Sequence, residues 1–333
     1  MARLGRGKPR QDESTLSVES WQDVTGSSVL QVCHPEWRGV RAAAYGFGDP
    51  VVETADAGRS AAHIVENARS VGVETIVVQG FPPGSAGLLR AARRAGLATR
   101  CLLHSSPAQH GGERAEAQVA DRVLALAEEG AIGAVGFVKK GVAEMFTALG
   151  YEARWVPNRM PKLPEVARVS VEGRRPHIGV MAEPFWRKNV VTQLGAVAIL
   201  NGTAHVMTRP DVGYLTRLPI IEHGTLEWER FVGLLGSMDL NLYATLSECQ
   251  PLTPMESYLT GVPCLFSRTS VLFEDNPELL ELSTLAEVDN PSAIARAANR
   301  LMESAREVVP LAQSWMASFD QVASKLWSEF TAA

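Results

Sequence analysis

Two glutamates, Glu248 and Glu256, have seven residues between them, in a stretch whose pattern predicts strand, loop, helix, turn and strand over 239–265. We expect Thr253 to cap the helix and Pro254 to occupy its first helical position. The backbone N–H groups just before this helix would then point into a cleft, where the helix dipole favours an anion. A diphosphate could bind there without a metal ion. Glu256, one turn into the helix, could accept hydrogen bonds from the hydroxyls of a ribose.

The same residues have a purely structural interpretation. Thr253 and Glu256 match a capping box, in which the two side chains satisfy the first N–H groups of a helix. Glu248 upstream and Gly261-Val262-Pro263 downstream favour ligand binding over capping alone. The two roles are compatible only if the carboxylate of Glu256 keeps acceptor capacity after capping.

Other motifs that carry chemistry are incomplete or absent from the sequence. Gly46-Phe47-Gly48 begins a dinucleotide fingerprint, but Val51 stands where the third glycine belongs, so a turn is the favoured interpretation. The chain has neither a P-loop lysine motif nor a nucleophile elbow, and its seven histidines do not follow metal-ligand spacing. Dehydrogenase, P-loop nucleotidase, hydrolase and zinc-enzyme functions are therefore disfavoured, and no metal ligands are assigned.

The composition is that of a globular protein with two domains. The chain has 333 residues, of which 46% are hydrophobic, and a net charge of −5. A nucleic-acid binder would need an excess of basic residues, so that class is disfavoured. Four scattered cysteines indicate free thiols in a reducing compartment. The polar first 20 residues do not resemble a signal peptide, and a cytoplasmic location is expected.

Strands and helices alternate along the chain, which predicts α/β domains with parallel sheets. Pro157, Pro161 and Pro164 interrupt this alternation and indicate a hinge. We predict a disordered leader at 1–26, a first α/β domain at 27–160, a linker at 161–176, a second α/β domain at 177–308 and a terminal helix packing back at 309–333. Strands are predicted at 29–33, 74–78, 98–104, 131–137, 153–156, 177–181, 204–207, 240–243 and 263–266, and helices at 59–71, 85–95, 118–129, 140–149, 190–200, 226–235, 253–260, 291–304 and 309–330.

The stretch 239–265 resembles the donor-binding segment of GT-B glycosyltransferases, specifically the retaining family 4. Those enzymes carry two glutamates at this spacing, then a small-residue helix and a Gly-x-Pro, as at 261–263 here. The resemblance extends over nearly all of 27–330. It implies two Rossmann-like domains facing a central cleft, the first binding the acceptor and the second the donor. It also implies that Glu256 holds the ribose and that Glu248 contacts the transferred sugar. The implied donor-binding set is Leu252, Thr253, Pro254, Met255, Glu256 and Asn158.

Further landmarks follow the same order as in the family. Val156-Pro157-Asn158 resembles its interdomain Pro-Asn, and His104 ends a strand as a cleft-facing histidine does in relatives. Arg38 and Gly39 stand where the family has a glycine-rich loop that contacts acceptor or phosphate. The family places an Arg and a Lys on the basic loop of the donor domain to neutralise the leaving diphosphate. Arg187 and Lys188 occupy that loop here, and Glu183 stands at the usual position of the Arg. Either Arg187 takes its role or the phosphate site is weaker.

The implied activity is sugar transfer from a nucleotide sugar, UDP- or GDP-linked, with retention and with neither a bound cofactor nor a metal ion. The acceptor stays open among a saccharide, a natural product and a protein. Two alternatives stay open as well: a sugar-nucleotide epimerase on the same fold, and a catalytically silent partner subunit. Arg90, Arg93, Arg94, Lys139 and Lys140 either contact anionic lipid at a membrane surface or, as we favour, lie on solvated helix faces.

Overall fold

A computed structural model of the chain describes residues 21–332 and contains, within that range, two parallel β-sheets of six strands each. The first sheet has the strand order β2-β1-β3-β4-β5-β6 and the second β12-β11-β10-β7-β8-β9. Their strands are β1 (Val29–Cys33), β2 (Val51–Glu53), β3 (Thr75–Gln79), β4 (Ala98–Leu103), β5 (Ala134–Phe137), β6 (Ala153–Trp155), β7 (His177–Val180), β8 (Thr203–Val206), β9 (Ile220–Glu222), β10 (Leu240–Tyr243), β11 (Cys264–Ser267) and β12 (Thr284–Leu285).

Helices connect the strands and cover both faces of each sheet, because a parallel connection needs a crossover. They are α1 (Trp21–Val24), α2 (Arg38–Phe47), α3 (Ala61–Ser70), α4 (Ser85–Arg94), α5 (Pro107–Gly112), α6 (Arg114–Glu128), α7 (Lys140–Ala148), α8 (Val190–Ile199), α9 (Trp228–Leu235), α10 (Leu252–Leu259), α11 (Pro277–Ser283), α12 (Pro291–Glu303) and α13 (Ala305–Thr331). The central strands are buried along their whole length, as β1, β3, β7 and β10 show. The predicted α/β class is confirmed.

Three local predictions are wrong. The leader predicted over 1–26 ends earlier, because Trp21 packs against the first core and Val24 is buried in it; residues 1–20 lie outside the described range. The loop predicted at Arg38 and Gly39 is the start of α2, whose alanines Ala43 and Ala44 pack inward. The prediction of no strand at 51–53 and at 220–222 is also wrong, because the edge strands β2 and β9 form there. The turn predicted at 46–48 is the end of α2: Gly46 and Phe47 are helical, and Gly48 follows them as the C-cap in the left-handed conformation.

The last helix, α13, ties the two halves of the molecule together. Its first part lies on the second domain, where the Trp315 indole donates to Asp275 Oδ1 at 2.6 Å. Its last part lies on the first domain, where the Trp327 indole donates to Asp49 Oδ2 at 2.6 Å and stacks on Phe47. Because one continuous helix touches both sheets, it fixes the spacing between them. Between residues 21 and 332, none of the helices has the length and apolar character needed to cross a bilayer.

Candidate functional site

Glu248 lies in a cluster of cations at the carboxyl end of β10, where ligands bind in parallel α/β sheets. The Lys188 ammonium donates to its Oε1, and Arg187 Nη1 lies 3.7 Å from the same oxygen. The Tyr243 hydroxyl, at the end of β10, receives a hydrogen bond from Lys188 at 2.6 Å. Burial lowers the pKa of Lys188, while the Glu248 carboxylate opposes that shift. The structure therefore brings together Glu248, Arg187 and Lys188, the three residues that the resemblance to family 4 assigns to one site.

Arg187 also reaches across the cleft to the first domain. Its Nε lies 3.5 Å from Glu113 Oε1, at the junction of α5 and α6. The neighbouring Trp186 lies against Gly112, where even a Cβ atom would come within 2.9 Å of the indole. The one-turn 3₁₀ helix Trp186–Lys188 thus forms a strap across the cleft. In this arrangement the guanidinium of Arg187 is shared between one carboxylate of each domain.

The first domain also holds the loop that carries Glu248. Lys139 Nζ, at the start of α7, donates to the Glu248 carbonyl at 3.3 Å and to the Thr269 carbonyl at 2.6 Å. Asn158 is buried and bonds Gln250 three times, through its backbone N–H, its carbonyl and its side-chain amide. These contacts hold the loop from the side of the hinge. Asn158 positions the Glu248 loop through Gln250, and its buried Oδ1 has no hydrogen-bond partner among residues 21–332. Its contact with the donor stays a prediction.

Glu256 occupies a very different environment. It lies on the buried side of α10 with only 4% of its surface exposed. The Trp228 indole N–H donates to its Oε1 at 3.1 Å, and Oε2 has no hydrogen-bond partner anywhere in 21–332. Burial raises the pKa of this carboxyl to about 7, against a smaller lowering by the Trp228 hydrogen bond. The fully buried side-chain oxygens left without a partner in the described chain are those of Asn158 and Asn241, so Oε2 of Glu256 is unpaired without being sealed off. It is therefore available to a ligand that brings hydroxyl groups.

The start of α10 corrects the capping prediction. The helix begins at Leu252 with Pro251 as its N-cap, and Thr253 makes no capping hydrogen bond. Pro254 therefore lies in the third helical position, where a missing N–H is still tolerated because the first turn has no intrahelical acceptor for it. The capping box with Glu256 does not form, so its carboxylate keeps its acceptor capacity. With prolines on both sides, the N–H groups of Leu252 and Thr253 remain as unpaired donors within the described chain. The side chain of Met255, placed in the donor set from sequence, is buried in the core of the second domain.

His104 follows β4 on the opposite wall of the cleft, at the end of a hydrogen-bond chain. Gln31 Nε2 donates to the Ala44 carbonyl, so its Oε1 accepts from Gln79 Nε2 at 2.7 Å. Gln79 Oε1 then faces His104 Nε2 at 2.9 Å. The network requires the proton on Nε2 and leaves Nδ1 as an acceptor. Burial lowers the pKa of His104 to about 4, so the ring is neutral at pH 7.

Arg38 and Gly39 lie apart from the cluster. Both are exposed in the first turn of α2, so no glycine-rich loop forms there. Nor do the remaining basic residues form one face. Arg90 pairs with Glu129 at 2.6 Å, Lys140 lies over the Trp155 ring, and Lys139 points into the cleft. The solvated-face interpretation is thus wrong for Lys139.

Four residues of the site were missed from sequence: Lys139, Glu113, Tyr243 and Trp228. Lys139 and Tyr243 had a signal, since each lies at the carboxyl end of a predicted strand, where cleft residues are expected. Glu113 and Trp228 are brought in by tertiary packing. The described residues contain no group of three or more His, Cys, Asp or Glu arranged to hold a metal ion.

No protein-family model and no curated protein sequence matches this chain. Solved structures do resemble it. HepE from Anabaena, in complex with UDP-glucose, is 14% identical with a TM-score of 0.65, covering 90% of this chain and 99% of that one. Sucrose-phosphate synthase from Thermosynechococcus elongatus is 13% identical with a TM-score of 0.56, covering 91% and 100%. TarM from S. aureus, solved with UDP, is 13% identical with a TM-score of 0.58, covering 78% of this chain and 55% of TarM, so the chain spans about half of TarM's length. Two parallel six-stranded sheets on either side of a cleft, matched by these structures, are the GT-B fold.

Proposed function

We propose that this protein is a glycosyltransferase that uses a nucleotide sugar, and that its donor lies across Glu256, the start of α10 and the strap residues Arg187 and Lys188. The observation that carries the proposal is the carboxylate of Glu256. It is 4% exposed, and its Oε2 lacks a hydrogen-bond partner among the described residues. A vicinal diol such as that of ribose supplies the donors this oxygen lacks. The likeness to HepE bound to UDP-glucose supports the same class of ligand.

The diphosphate has donors of two kinds. The unpaired N–H groups of Leu252 and Thr253 stand at the positive end of α10 and suit anionic oxygens. Arg187 and Lys188 supply positive charge at the mouth of the same cleft. We propose that these cations turn from Glu248 toward the leaving diphosphate, whose charge grows in the transition state. This binding mode requires no metal ion and no bound cofactor.

In the proposed reaction, the bond between the anomeric carbon and the diphosphate oxygen breaks and the acceptor hydroxyl bonds to that carbon. The acceptor proton leaves with a diphosphate oxygen, and attack on the same face retains the configuration. This is the outcome implied by the resemblance to family 4. Glu248 orients the sugar hydroxyls, and His104 Nδ1 accepts a hydrogen bond from a hydroxyl on the opposite side of the cleft. Closure of the two domains around the donor would expel water and limit its hydrolysis.

A UDP- or GDP-sugar is the proposed donor, and the acceptor is a saccharide, a natural product or a protein hydroxyl. We place the reaction in a reducing compartment such as the cytoplasm, because all four cysteines of the chain are free and buried.

One observation favours a second candidate, the catalytically silent partner. Arg187 and Lys188 are already paired with Glu248 and Glu113, so the cluster is close to neutral. A protein that never binds a diphosphate could keep these pairs permanently. A sugar-nucleotide epimerase remains a candidate on the same fold and would turn over a nucleotide sugar with no acceptor present.

A thermal-shift panel of nucleoside diphosphates and nucleotide sugars tests the proposal. A ligand at about 100 times its dissociation constant adds about 2.7 kcal/mol to the stability of the native state, which raises the melting temperature by several degrees. We expect one nucleotide to raise it in the wild type, with the shift abolished in Glu256→Ala. Glu303→Ala, on the exposed side of α12, is the matched control and should respond like the wild type. If no nucleotide raises the melting temperature of the wild type, the silent-partner candidate replaces the enzyme.

A further inference from the structure

Trp228 is the first residue of α9 and keeps 40% of its surface exposed, although its indole N–H is held by a buried carboxylate. One edge of the ring is therefore fixed at Glu256, while much of the rest faces solvent. An indole anchored in this way loses little further rotamer freedom when a flat ligand packs on it.

The loop from β9 to α9 precedes Trp228, and its backbone N–H groups are the other donors that could meet a base. Two of those donors are already used. The His223 N–H donates to the Val206 carbonyl and the Gly224 N–H to the Met207 carbonyl, both at 2.9 Å. These hydrogen bonds extend the pairing of β8 and β9 beyond the last residue of the strand. The N–H groups of His223 and Gly224 are thus unavailable to a base.

The geometry points to Trp228 as the platform on which the nucleobase of the donor stacks. This inference rests on the proposed function, because it takes the ribose to be held by Glu256. In a nucleoside the base is bonded to C1′, the carbon next to the one that bears the 2′-hydroxyl. A ribose whose hydroxyls bond Glu256 therefore brings its base within a few ångströms of any group that touches the same carboxylate. Among residues 21–332, Trp228 is the only one that bonds it.

Stacking on an indole is worth about 1–3 kcal/mol per base, and every base has a flat face to offer. The inference therefore concerns the base alone and leaves the diphosphate contacts unchanged. Inorganic diphosphate, which carries no base, separates the two contributions.

The test measures the affinity of UDP and of inorganic diphosphate by calorimetry for the wild type, Trp228→Ala and Trp228→Phe. Phenylalanine keeps a flat ring but loses the N–H. We expect Trp228→Ala to lower the affinity for UDP by at least about tenfold, and Trp228→Phe to lower it by less than about threefold. Inorganic diphosphate should bind all three proteins equally. Tyr45→Ala is the matched control, since Tyr45 is also an exposed aromatic residue whose hydroxyl donates to a carboxylate, that of Glu53 at 2.8 Å.

Three outcomes overturn the inference. If UDP binds Trp228→Ala as tightly as the wild type, the base does not stack there, and the proposed function still stands. If the affinity for inorganic diphosphate falls in the Trp228 variants as much as the affinity for UDP does, Trp228 acts only on the structure of the site. If the wild type binds neither UDP nor any other nucleoside diphosphate, the proposed function fails and this inference fails with it.

Discussion

Glu248 and Glu256 stand eight positions apart on one strand-loop-helix unit, yet their surroundings are opposite. Glu248 is bonded by an ammonium and lies near a guanidinium and a phenol hydroxyl. Glu256 has a single neutral donor, the Trp228 indole, and burial raises its pKa to about 7. Within the described residues each carboxylate is held at Oε1 alone, Glu248 by charged partners and Glu256 by a neutral indole.

The difference separates two tasks. A carboxylate inside a cation cluster keeps those cations in place and balances their charge until an anion replaces it. A carboxylate in an apolar pocket is destabilising when ionised, and it gains most from a ligand that brings hydroxyl donors. Glu248 therefore holds the cations in place, and Glu256 is suited to bind the two hydroxyls of a diol. Variants at both carboxylates and at their partners test this contrast.

The largest effect is expected at the Glu248 cluster. The side chains of Glu248 and Lys188 are only 9% and 15% exposed. Lys188→Met therefore leaves a buried carboxylate without its closest partner. Breaking a buried pair costs about 3–5 kcal/mol, so the urea midpoint should fall sharply. The double variant Lys188→Met/Glu248→Gln removes both charges and should recover most of the loss. Equal losses in the single and double variants would show that the pair is not coupled.

A substitution at Glu256 is expected to raise the stability of the protein rather than lower it. Its folded-state pKa, about 7, lies above the ordinary 4.5, so the unfolded chain binds fewer protons between those values and stability falls as pH rises through that window. Glu256→Gln removes this penalty. Above pH 7.5, without ligand, its free energy of unfolding should exceed that of the wild type by up to about 3 kcal/mol, the equivalent of the pKa difference.

At pH 4 the wild-type carboxyl is neutral, so Glu256→Gln and the wild type should be nearly equal there. Urea unfolding at pH 4 and pH 8 measures both points. If Glu256→Gln destabilises the protein equally at the two pH values, the carboxylate contributes to the fold, and its ionised form carries no burial penalty.

A smaller effect is expected at the strap. Glu113 shares Arg187 with Glu248, and its side chain is 41% exposed, so the pair contributes little to stability. Glu113→Gln frees Arg187 for a diphosphate and should tighten inorganic diphosphate binding by roughly twofold to threefold, equivalent to about 0.5 kcal/mol. Glu116→Gln, on the same helix region but without an ion pair in the described structure, is the control. Weaker binding in Glu113→Gln would indicate that the strap must stay closed to bind anions.

Much of this fold was predictable from the sequence because its signals are local. The alternation of apolar strands such as 74–78 with amphipathic helices such as 85–95 predicts parallel α/β sheets, and both elements are present. Arg187, Lys188 and Glu248 were assigned to one site by the resemblance to family 4, whose motifs are also local in sequence.

The details of the site depended on contacts that sequence does not record. A Thr-x-x-Glu pattern predicts a cap, but Pro251 and Pro254 are both compatible with the first turn, so the helix begins one residue before Thr253. Trp228 and Glu256 are 28 residues apart, and Lys139 and Glu248 are 109 apart. Such pairs form only when the two elements, or the two domains, come together. The free oxygen of Glu256 could therefore be found only in the folded chain.

The most direct test of the account is a thermodynamic cycle on the ribose hydroxyls. The nucleoside diphosphate that binds the wild type is compared with its 2′,3′-dideoxy analogue, using the wild type and Glu256→Ala at pH 8. We expect the wild type to lose about 10- to 100-fold in affinity when the hydroxyls are removed, because each bonds a charged group. Glu256→Ala should bind both ligands with the same reduced affinity. A Glu256→Ala protein that still discriminates between the two ligands as strongly as the wild type would contradict the account, since the hydroxyls would then be bound elsewhere.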